Sequence, residues 1–442
     1  MNLHDKKIGI WGYGATGRAT ARFVAKQGAI VTVMDRTPQP DCPWSFILEK
    51  EETRDHFLRE AKIIIPSPGI DIDLYHEKYR AKWLSELDLF ATFNTTPVIA
   101  ITGSLGKTST TTLLSKLLPQ YGLKIKTGGN IGTPMLNLLD HDISADYILL
   151  ELSSFQLQYA TRLCPTIAVI TNLFENHLDR HGSMAHYIAA KSQIYAQQTE
   201  GQIAIAPLKQ ASAIRQNISD KHPFFFLSNQ PPARQELDNN DVIFYLDGTQ
   251  VVDSHTNGAL VDLTTLPPVT FKENWLTIAS VLHTLKLPLA QLASYARNLT
   301  TPPHRLERVP FRQGITVYND SKSTTPTSTA AALTQLNCGS VTLFLGGLSK
   351  GVNRTPFIKT LSERVKEIYC FGAEAMLLDN ACRKNAIPSH AFGTLEESWR
   401  HCASKLQAGD CILFSPAGSS FDLFKNYEER GNKFKALVAK AA

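Results

Sequence analysis

The sequence has few cysteines and does not pair them closely. Seven cysteines are scattered through 442 residues, no two are spaced as C-x-x-C, and their total is odd. Disulfide-stabilised secreted domains and structural zinc sites usually show closely or regularly spaced cysteines. The pattern therefore argues against a disulfide framework and against a structural zinc site, and it favours a reducing cytosol.

Long apolar runs and dense basic runs are also missing. No stretch of about 18 apolar residues occurs, and no signal-like apolar core follows the first residues. We therefore expect a cytoplasmic protein that is neither exported nor inserted in a membrane. No Lys/Arg tract with interleaved aromatics is present, so nucleic acid is not an expected partner. The mild formal net charge of +5 is compatible with phosphorylated and carboxylated small molecules.

Short apolar runs alternate with helical patterns along most of the chain, which predicts parallel α/β domains. At about 100–200 residues per domain, the length predicts three domains, with boundaries at 1–93, 94–299 and 300–442. The prolines in Thr300–Pro303 mark the second boundary. We predict a Rossmann-like N-terminal domain, a central domain like a P-loop ATPase and a Rossmann-like C-terminal domain.

The predicted elements place the motifs below on strands and helices. Residues 201–268 are polar with short alternating runs, and we predict that they form a small antiparallel appendage on the central domain. Helices are predicted from the first glycine motif to about Gln27, from the second to about Leu118, and over Met184–Gln197. Strands are predicted at Lys7–Trp11, Ala29–Met34, Lys62–Ile65, Pro97–Ile101, Tyr147–Leu150, Ile167–Thr171, Val242–Leu246, Ile315–Asn319, Val341–Leu345, Glu367–Cys370 and Cys411–Ser415.

The first phosphate-binding motif is Gly12-x-Gly14-x-x-Gly17, between a predicted strand and helix. Such glycines let a backbone approach phosphates at a helix N-terminus, and Asp35, at the end of the next strand, is suited to a ribose hydroxyl. The motif predicts contact with a nucleotide. The same glycines would also serve a turn that only packs a helix on a strand.

The second motif, Gly103-Ser-Leu-Gly106-Lys107-Thr108-Ser109, also follows a predicted strand and opens a helix. It is shorter than the usual P-loop but keeps the working parts, since Lys107 can reach terminal phosphates and Thr108 can bind Mg²⁺. This motif is the stronger of the two. A glycine turn with a surface lysine is the alternative.

Two further segments offer metal ligands. Glu151 ends an apolar strand, where a carboxylate beside a P-loop is expected to hold Mg²⁺. His177 follows another apolar strand in Asn176-His177-Leu178-Asp179-Arg180-His181-Gly182. Taken singly, His177 is more often a structural histidine than a ligand.

Taken together, the motifs resemble the Mur ligase family over nearly the whole chain. The phosphate loop, Glu151-Leu-Ser-Ser-Phe-Gln-Leu157 and the His177 segment occur in the order found in that family. Further matches indicate its D-glutamate-adding member. They are the opening glycine motif, Ser67-Pro-Gly-Ile70, Gly128-Gly-Asn-Ile-Gly132, Pro303-His-Arg-Leu-Glu307, Asn319-Asp-Ser-Lys322 and the segment from Ser415 to Tyr427.

The resemblance implies an ATP-dependent ligase that adds D-glutamate to UDP-N-acetylmuramoyl-L-alanine in peptidoglycan precursor synthesis. It also implies roles for individual residues. The UDP-sugar would contact Gly14, Ala15, Thr16, Asp35, Arg36, Gly69 and Asn130. ATP would contact Gly103, Gly106, Lys107, Thr108, Ser109, Asn274, Arg305 and Asp320.

Two Mg²⁺ sites are implied, with Thr108, Glu151, His177 and a carbamylated Lys191 as ligands. A carbamate acts as a long carboxylate, whereas an ammonium would repel the metal. Without the resemblance, Lys191 would be taken for a surface lysine on a helix. The implied catalytic set is Lys107, His177, Lys191 and Arg305, and a structural ion pair is the alternative for Arg305.

D-glutamate would contact Lys322, Thr324, Lys350, Ser420, Phe421 and Tyr427. Some positions depart from the family pattern, among them Leu105 and Ser349, which replace the usual Asn and Asp. Leu105 could alter hydrogen bonding in the phosphate loop, and Ser349 could loosen the positioning of Lys350. We expect a monomer.

Three other interpretations remain open at this point. A nicotinamide oxidoreductase would use the first motif but would leave Lys107, Glu151 and His177 unexplained. A non-catalytic nucleotide-binding regulator would not need the metal ligands. Another amino-acid-adding Mur ligase or a folylpolyglutamate ligase would share the central motifs, and only the C-terminal motifs argue against it.

Overall fold

The computed structural model describes residues 1–79, 82–139, 144–217, 224–233, 242–267, 269, 271–299, 302–336, 338–349 and 351–441. The chain forms two compact units. One comprises Met1–Asp262 with Leu276–Leu292, and the other comprises Leu263–Trp275 with Ala293–Ala442. Two sheets lie in the first unit and a third lies in the second, which gives the predicted three-domain α/β architecture. Among the described helices, none has the length and apolar character needed to cross a membrane.

The N-terminal sheet contains β1 (Lys7–Trp11), β2 (Ile30–Asp35), β3 (Ser45–Leu48) and β4 (Ile63–Pro66). All its strands are parallel, in the order β3-β2-β1-β4. The helices are α1 (Ala15–Lys26), α2 (Glu51–Glu60), α3 (Asp73–His76) and α4 (Glu86–Phe93). Gly17 lets α1 pack closely on the sheet, because a Cβ there would overlap the carbonyl oxygen of Gly12.

The central sheet has nine strands. They are β5 (Val98–Thr102), β6 (Ile125–Gly129), β7 (Tyr147–Glu151), β8 (Ile167–Ile170), β9 (Ile203–Pro207), β10 (Phe224–Ser228), β11 (Val242–Asp247), β12 (Gln250–Asp253) and β13 (Gly258–Asp262). The order is β13-β12-β11-β10-β9-β8-β5-β7-β6, so β5 lies between β8 and β7. The carboxyl ends of these three parallel strands therefore meet at one edge.

The helices of this region are α5 (Lys107–Leu117), α6 (Ser154–Leu157), α7 (Leu178–His181), α8 (Met184–Ser192), α9 (Ala211–Arg215), α10 (Glu273–Thr284) and α11 (Leu292–Ala296). Both sheets of the first unit contribute to one buried apolar cluster, which includes Ile8, Val33, Val98 and Leu150. The apolar runs that predicted the strands are therefore the residues that form this core.

The predicted antiparallel appendage is wrong in most of its extent. β9, β10 and β11 continue the central sheet in parallel, and only β12 and β13 are antiparallel additions. A short alternating run does not reveal the direction of its neighbour, because the periodicity is the same in both kinds of sheet. The helix predicted to reach Gln197 also ends earlier, at Ser192.

The C-terminal sheet contains β14 (Glu307–Val309), β15 (Thr316–Asn319), β16 (Val341–Gly346), β17 (Val365–Phe371), β18 (Ser389–Phe392) and β19 (Cys411–Phe414). Its order is β14-β15-β19-β16-β17-β18, with only β14 antiparallel to its neighbour. The helices are α12 (Pro326–Thr334), α13 (Thr355–Lys359), α14 (Ala375–Lys384), α15 (Leu395–Ala403) and α16 (Tyr427–Ala441). Alternate residues of β16 enter two buried clusters, Leu343 in one and Phe344 in the other, so both faces of this strand are buried.

The structure contains a disulfide bond between Cys338 and Cys411, which the sequence did not predict. The two cysteines are 73 residues apart in sequence, but their Cα atoms lie 6.4 Å apart. Only the folding of β19 beside β16 brings them together, so no local spacing could signal the bond.

Candidate active site

The phosphate loop joins β5 to α5. Gly103 has φ 144° and Gly106, which caps the helix, has φ 82°, both in the region that favours glycine. A Cβ on Gly103 would overlap Thr171 Oγ1. The glycines therefore allow the loop to lie against the end of β8 and to present its backbone at a helix N-terminus, where anions bind.

The chain after β8 holds this loop in shape. Asn172 Oδ1 accepts a hydrogen bond from the Leu105 amide at 2.9 Å, and the side chains of Thr171 and Asn172 both donate to the Leu105 carbonyl. Ser104 Oγ shares a hydrogen bond with the Tyr187 hydroxyl at 2.9 Å. The contacts of Thr171 and Asn172 use the backbone of Leu105, so the unusual side chain there leaves them intact.

Lys107 lies over the loop at the start of α5. Its Nζ donates to the carbonyl oxygens of Gly103 at 2.7 Å and Ser104 at 3.1 Å. Thr108 and Ser109 follow in the first turn, where Ser109 is buried and Thr108 is half-buried. The predicted phosphate-binding residues of the loop thus lie together at one helix N-terminus.

Glu151 ends β7 beside the phosphate-loop strand, as predicted. Its side chain is 1% exposed, and Asn130 Nδ2 donates to its Oε1 at 3.0 Å. Its other oxygen, Oε2, is buried without a hydrogen-bond partner among the described residues. A buried carboxylate oxygen with no donor is a suitable ligand for a hard cation such as Mg²⁺.

Lys191 is buried, at 2% exposure, and is not the surface lysine that its local pattern alone suggests. Its Nζ donates to Thr102 Oγ1 at 3.0 Å and lies over the ring of Tyr187. Burial and the positive charge of Lys107 lower the pKa of Lys191 well below its usual range, although Glu151 acts in the opposite direction. The site therefore favours a neutral amine, which is the nucleophilic form.

His177 is exposed and adopts a left-handed backbone conformation, with φ 54°, at the cap of α7. Its ring lies 4.9 Å from that of Phe155, measured between centroids. Within the described part of the chain, no group of three or more His, Cys, Asp and Glu residues forms a metal-binding cluster. The metal roles of Thr108 and His177 stay predictions.

A cavity of about 430 Å³ lies in the first unit, between the glycine turn after β1 and the segment after β6. We call it the first cavity. Its wall includes every residue predicted to contact the UDP-sugar except Arg36, namely Gly14, Ala15, Thr16, Asp35, Gly69 and Asn130. Ser153, Phe155 and Gln156 also line it. The sequence did not single out these three for the UDP-sugar.

Asp35 and Arg36 have different surroundings. Asp35 accepts hydrogen bonds from the amides of Tyr13 at 2.6 Å and Thr37 at 2.8 Å, so its carboxylate fixes the glycine turn. The Arg36 side chain is exposed and donates to Glu49 at 3.3 Å. The predicted contacts of both residues with a nucleotide stay predictions.

In the second unit, Asp320 is buried at the end of β15. Its Oδ1 accepts from the Leu306 amide at 3.1 Å, and its Oδ2 accepts from Ser415 Oγ at 2.8 Å. Burial raises the pKa of Asp320 to about 6, while these hydrogen bonds and the charge of Arg305 oppose the rise. Asp320 thus ties the segment that carries Arg305 to the sheet, and its predicted contact with ribose stays a prediction.

The residues predicted to bind D-glutamate occupy neighbouring loops of the C-terminal domain. Lys322 Nζ lies 3.6 Å from the centre of the Tyr427 ring, and Ser420 is buried. Phe421 is 63% exposed and Thr324 is half-buried. Lys350 lies outside the described residues.

Two buried arginines that the sequence did not single out hold these loops together. Arg430 donates to Ser321 Oγ at 3.0 Å, to the Ser321 carbonyl at 2.7 Å and to the Gly418 carbonyl at 2.9 Å. Arg354 donates to the carbonyls of Gly346 and Gly347. Arg430 lies within α16 and Arg354 lies in the loop just before α13, and no local signal distinguishes either of them from ordinary charged residues.

Ser349 and Asn274 complete the predicted set. The backbone and hydroxyl of Ser349 both donate to Glu374, at 2.9 and 3.1 Å, which anchors the loop although Asp is usual at this position. Asn274 is buried, and its Nδ2 has no hydrogen-bond partner among the described residues. A free donor of this kind suits the predicted contact with adenine.

Comparison with known sequences decides the family. Residues 6–82 match the N-terminal domain of MurD-like Mur ligases, 101–280 match the Mur ligase middle domain, and 304–418 match the Mur ligase glutamate ligase domain. A UDP-N-acetylmuramoylalanine–D-glutamate ligase from Geotalea uraniireducens is 34% identical, over 99% of this chain and 98% of the relative. The chain belongs to the Mur ligase family.

A second Mur ligase relative carries the same name. It comes from Koribacter versatilis and is 34% identical, over 100% of this chain and 99% of its own length. Mur ligases are ATP-dependent ligases, so this chain is an enzyme of that class. The nicotinamide oxidoreductase and the non-catalytic regulator are therefore wrong.

Solved Mur ligase structures share the fold. The MurC ligase of Thermotoga maritima matches with a TM-score of 0.60 and 15% identity, over 99% of this chain and 100% of that one. The MurF ligase of the same organism, solved with ADP, matches with a TM-score of 0.58 and 17% identity, over 100% and 96%. These likenesses establish the three-domain α/β architecture of a Mur ligase.

Proposed function

We propose that this Mur ligase uses ATP to join D-glutamate to UDP-N-acetylmuramoyl-L-alanine in peptidoglycan precursor synthesis. Its curated relatives bear the name of that reaction and match essentially the whole chain. The reaction named for these relatives supports this function over that of another amino-acid-adding Mur ligase or a folylpolyglutamate ligase. A cytoplasmic location, a monomeric state and the boundaries 1–93, 94–299 and 300–442 belong to the same proposal.

The observation that carries the proposal is the position of Asn130. This residue lines the first cavity, which we propose for the UDP-sugar, and also donates to Glu151 beside the phosphate loop. A substrate in the cavity would thus lie next to the site proposed for ATP. Such an arrangement suits the transfer of a phosphoryl group from ATP to the substrate carboxylate.

The chemistry follows from the poor leaving ability of a carboxylate oxygen. Transfer of the γ-phosphoryl group to the carboxylate of the L-alanyl residue forms an acyl phosphate and ADP. The amine of D-glutamate then attacks the acyl carbon, a tetrahedral intermediate collapses, and amide and phosphate are released. Lys107 and Arg305 would offset negative charge on the transferring group, which is the main task in phosphoryl transfer.

Magnesium would be held at two sites by Thr108, Glu151, His177 and carbamylated Lys191. Glu151 Oε2 supports this assignment, because an oxygen that is buried and has no donor in the described part of the chain is available to a cation. When bound, Mg²⁺ would supply positive charge that neutralises the phosphate oxygens. The protein's part is to hold these ligands at the carboxyl ends of β5, β7 and β8.

We assign carbamylation to Lys191. The neutral amine would attack CO₂ to form an N–C bond and release one proton, which leaves an anionic carbamate. Burial and the lowered pKa of Lys191 support this reaction, since an ammonium could not attack, and the hydrogen bond to Thr102 fixes the position of Nζ. The carbamate would also offset the charge of Lys107.

The C-terminal domain would select the amino acid. Lys322, Thr324, Lys350, Ser420, Phe421 and Tyr427 are the proposed contacts of D-glutamate. The charge of Lys322 and the buried hydroxyl of Ser420 offer donors for its carboxylates. Asn274, Arg305 and Asp320 are proposed to contact ATP.

Phosphate release tests the proposal most directly. The protein is mixed with ATP, Mg²⁺, UDP-N-acetylmuramoyl-L-alanine and one candidate amino acid at a time, and free phosphate is measured. We expect release with D-glutamate and little with L-glutamate, L-lysine or diaminopimelate. A faster rate with another amino acid, or with UDP-N-acetylmuramate as the acceptor of L-alanine, would overturn the assigned substrates.

A further inference from the structure

A second cavity of about 390 Å³ lies in the first unit, beside the first one. It is bounded by the turn after β4, by the start of α4 and by the segment that contains α6. Ser67, Pro68, Phe155 and Gln156 line both cavities. The proposed reaction gives this second cavity no task.

Glu86, in the first turn of α4, lies on the wall of the second cavity and is only 4% exposed. Both of its carboxyl oxygens are buried without a hydrogen-bond partner among the described residues. The Oε1 atom of Gln158, on the same wall, is a further buried acceptor without a partner. Leaving a buried acceptor unpaired costs about 1–3 kcal/mol, so this wall is suited to a ligand that brings donors.

The neighbouring carboxylate shows what a purely structural acid looks like here. Asp88 lines the same cavity, but it accepts from the amides of Thr161 and Arg162 at 2.7 and 2.8 Å and from the Thr161 hydroxyl at 2.9 Å. These bonds tie α4 to the segment after α6. Among the described residues, no donor lies within hydrogen-bond distance of Glu86, and only the side chain of Gln156 favours its ionised form, so a structural role of this kind does not account for it.

The remaining wall is aromatic and apolar. Trp83, Phe155 and Tyr159 contribute rings, and His76 stacks on Tyr159 with 5.1 Å between ring centroids. No lysine or arginine is among the described residues that line the cavity, although Arg180 lies over the Phe155 ring, 5.5 Å from its centroid. Ring faces attract cations and the unpaired acceptors require N–H or O–H donors, so a positively charged N–H donor suits both parts of the wall.

We propose that the second cavity binds a small organic cation, an amidine, guanidine or amine carried on an apolar group. Glu86 and Gln158 accept hydrogen bonds from its N–H groups, and the aromatic wall covers its apolar part. The volume is within the range of small-molecule sites. An occupant would touch the wall shared with the first cavity through Phe155 and Gln156.

The protonation of Glu86 sets the conditions for binding. Burial raises the pKa of Glu86 to about 8, and the side chain of Gln156 opposes this rise. The other titratable groups on the wall are His76, Asp88 and Tyr159, and two charged residues contact the wall from outside, Asp73 at the Tyr159 hydroxyl and Arg180 over the Phe155 ring. A cation pairs best with the ionised carboxylate, so binding is measured at a pH just above 8.

An isosteric ligand series tests the proposal. Benzamidine, benzamide and benzoate have the same shape but carry positive, zero and negative charge, and their binding to the full chain is measured by titration calorimetry. We expect benzamidine to bind at least about tenfold more tightly than benzamide, and benzoate to be rejected. Glu86→Gln should weaken benzamidine binding by about tenfold or more, whereas Glu60→Gln, a change at an exposed carboxylate, should leave it unchanged.

Three outcomes would overturn the proposal. They are no benzamidine binding to the wild-type chain, equal affinity for benzamidine and benzamide, or displacement of benzamidine by saturating UDP. The last would locate the probe in the first cavity. The first outcome would leave water as the partner of Glu86. If circular dichroism shows that Glu86→Gln does not fold, the ligand series and the UDP competition on the wild-type chain still test whether the second cavity binds an organic cation.

Discussion

At the scale of single residues, the surroundings of Lys191 determine its chemistry. The site excludes water and places the positive charge of Lys107 nearby, so a charged ammonium is disfavoured, although Glu151 acts in the opposite direction. A lysine on the same helical pattern at the surface would stay protonated and would not react with CO₂. Burial therefore converts an ordinary side chain into a candidate metal ligand.

Replacing Lys191 by Ala is expected to abolish nearly all ligase activity while the fold is retained. The variant loses the carbamate that would hold Mg²⁺, and Lys191→Glu should not fully restore activity, because Glu is shorter than a carbamylated lysine. Added small carboxylates should partly rescue Lys191→Ala. Activity is followed by phosphate release and the fold by circular dichroism.

Lys209→Ala is the matched control, since Lys209 is an exposed lysine of the same domain. It should keep wild-type activity. Wild-type activity in Lys191→Ala itself would contradict the role of a second metal.

Truncation of Lys322 should raise the KM for D-glutamate far more than that for the UDP-sugar. The lost charged hydrogen bond should cost about 1.5–3 kcal/mol, which corresponds to roughly ten- to over a hundredfold in KM. Tyr427→Leu should have a smaller effect in the same direction, because the ring of Tyr427 positions the Lys322 ammonium. Steady-state kinetics with each substrate varied in turn provides the measurement.

Lys359→Ala, which changes an exposed lysine of the same domain, should alter neither KM. The same change in KM for D-glutamate is predicted for Lys350→Ala. If both Lys322→Ala and Lys350→Ala left that KM unchanged, the assignment of amino-acid binding to the C-terminal domain would have to be given up.

At the scale of the elements, the junction of β5 and α5 is the most constrained part of the candidate site. The loop needs left-handed backbone at two glycines and contact with the chain that follows β8. The glycine conformations and the contact with the chain after β8 therefore involve more than one element. The strand order decides that β8 lies next to β5, and the glycines allow the approach.

Gly103→Ala is expected to lower the thermal midpoint and to raise the KM for ATP. The new Cβ would overlap Thr171 Oγ1 and displace the phosphate loop. Gly122→Ala is a matched control, because Gly122 also has a positive φ, of 85°, but has open space around its Cβ position. The control should lose about 1–2 kcal/mol of stability with no change in the KM for ATP. An unchanged KM in Gly103→Ala would argue against this loop as the ATP site.

The start of α4 should make stability depend on pH. Burial raises the folded-state pKa of Glu86 from an ordinary value of about 4.3 to about 8, so the folded chain binds more protons than the unfolded chain between these values. The stabilisation from the neutral carboxyl is complete below the unfolded pKa and is lost as pH rises through the folded pKa.

Glu86→Gln should therefore lose less thermal stability than the wild type between about pH 5 and about pH 9. The difference between variant and wild type isolates Glu86 from other groups, such as Asp320, whose pKa is raised to about 6. The exposed change Glu60→Gln should follow the wild-type curve. Parallel curves for Glu86→Gln and the wild type would mean that Glu86 is not buried in solution as it is in the structure.

At the scale of the whole molecule, the proposed reaction predicts a particular set of products. Turnover should yield ADP and phosphate in equal amounts, with no AMP and no change in nicotinamide absorbance. Lys107→Ala should remove phosphoryl transfer with every amino acid tested, because Lys107 acts before the amino acid is chosen. Nucleotide products are separated by anion-exchange chromatography, and AMP as the stoichiometric product would exclude an acyl phosphate.

Local patterns in the sequence were sufficient for the α/β architecture and for the glycine turn between β5 and α5. Apolar runs such as Lys7–Trp11 and Tyr147–Leu150 must be buried, and the glycines at 103 and 106 are needed wherever a backbone turns against a phosphate. The alternation of such runs with helical patterns predicted α/β domains, and the chain length predicted three of them. These signals depend on neighbouring residues only, so they can be read without a tertiary structure.

Tertiary structure alone decided which side chains lack partners and which are buried. Lys191 is buried at a contact between α8 and Thr102 of β5. Among the described residues, no distant segment supplies a donor to Glu151 Oε2 or to either carboxyl oxygen of Glu86. The direction of β11, the Cys338–Cys411 bond and the bracing by Arg430 have the same origin. Each is a relation between residues far apart in sequence, and local periodicity carries no information about such relations.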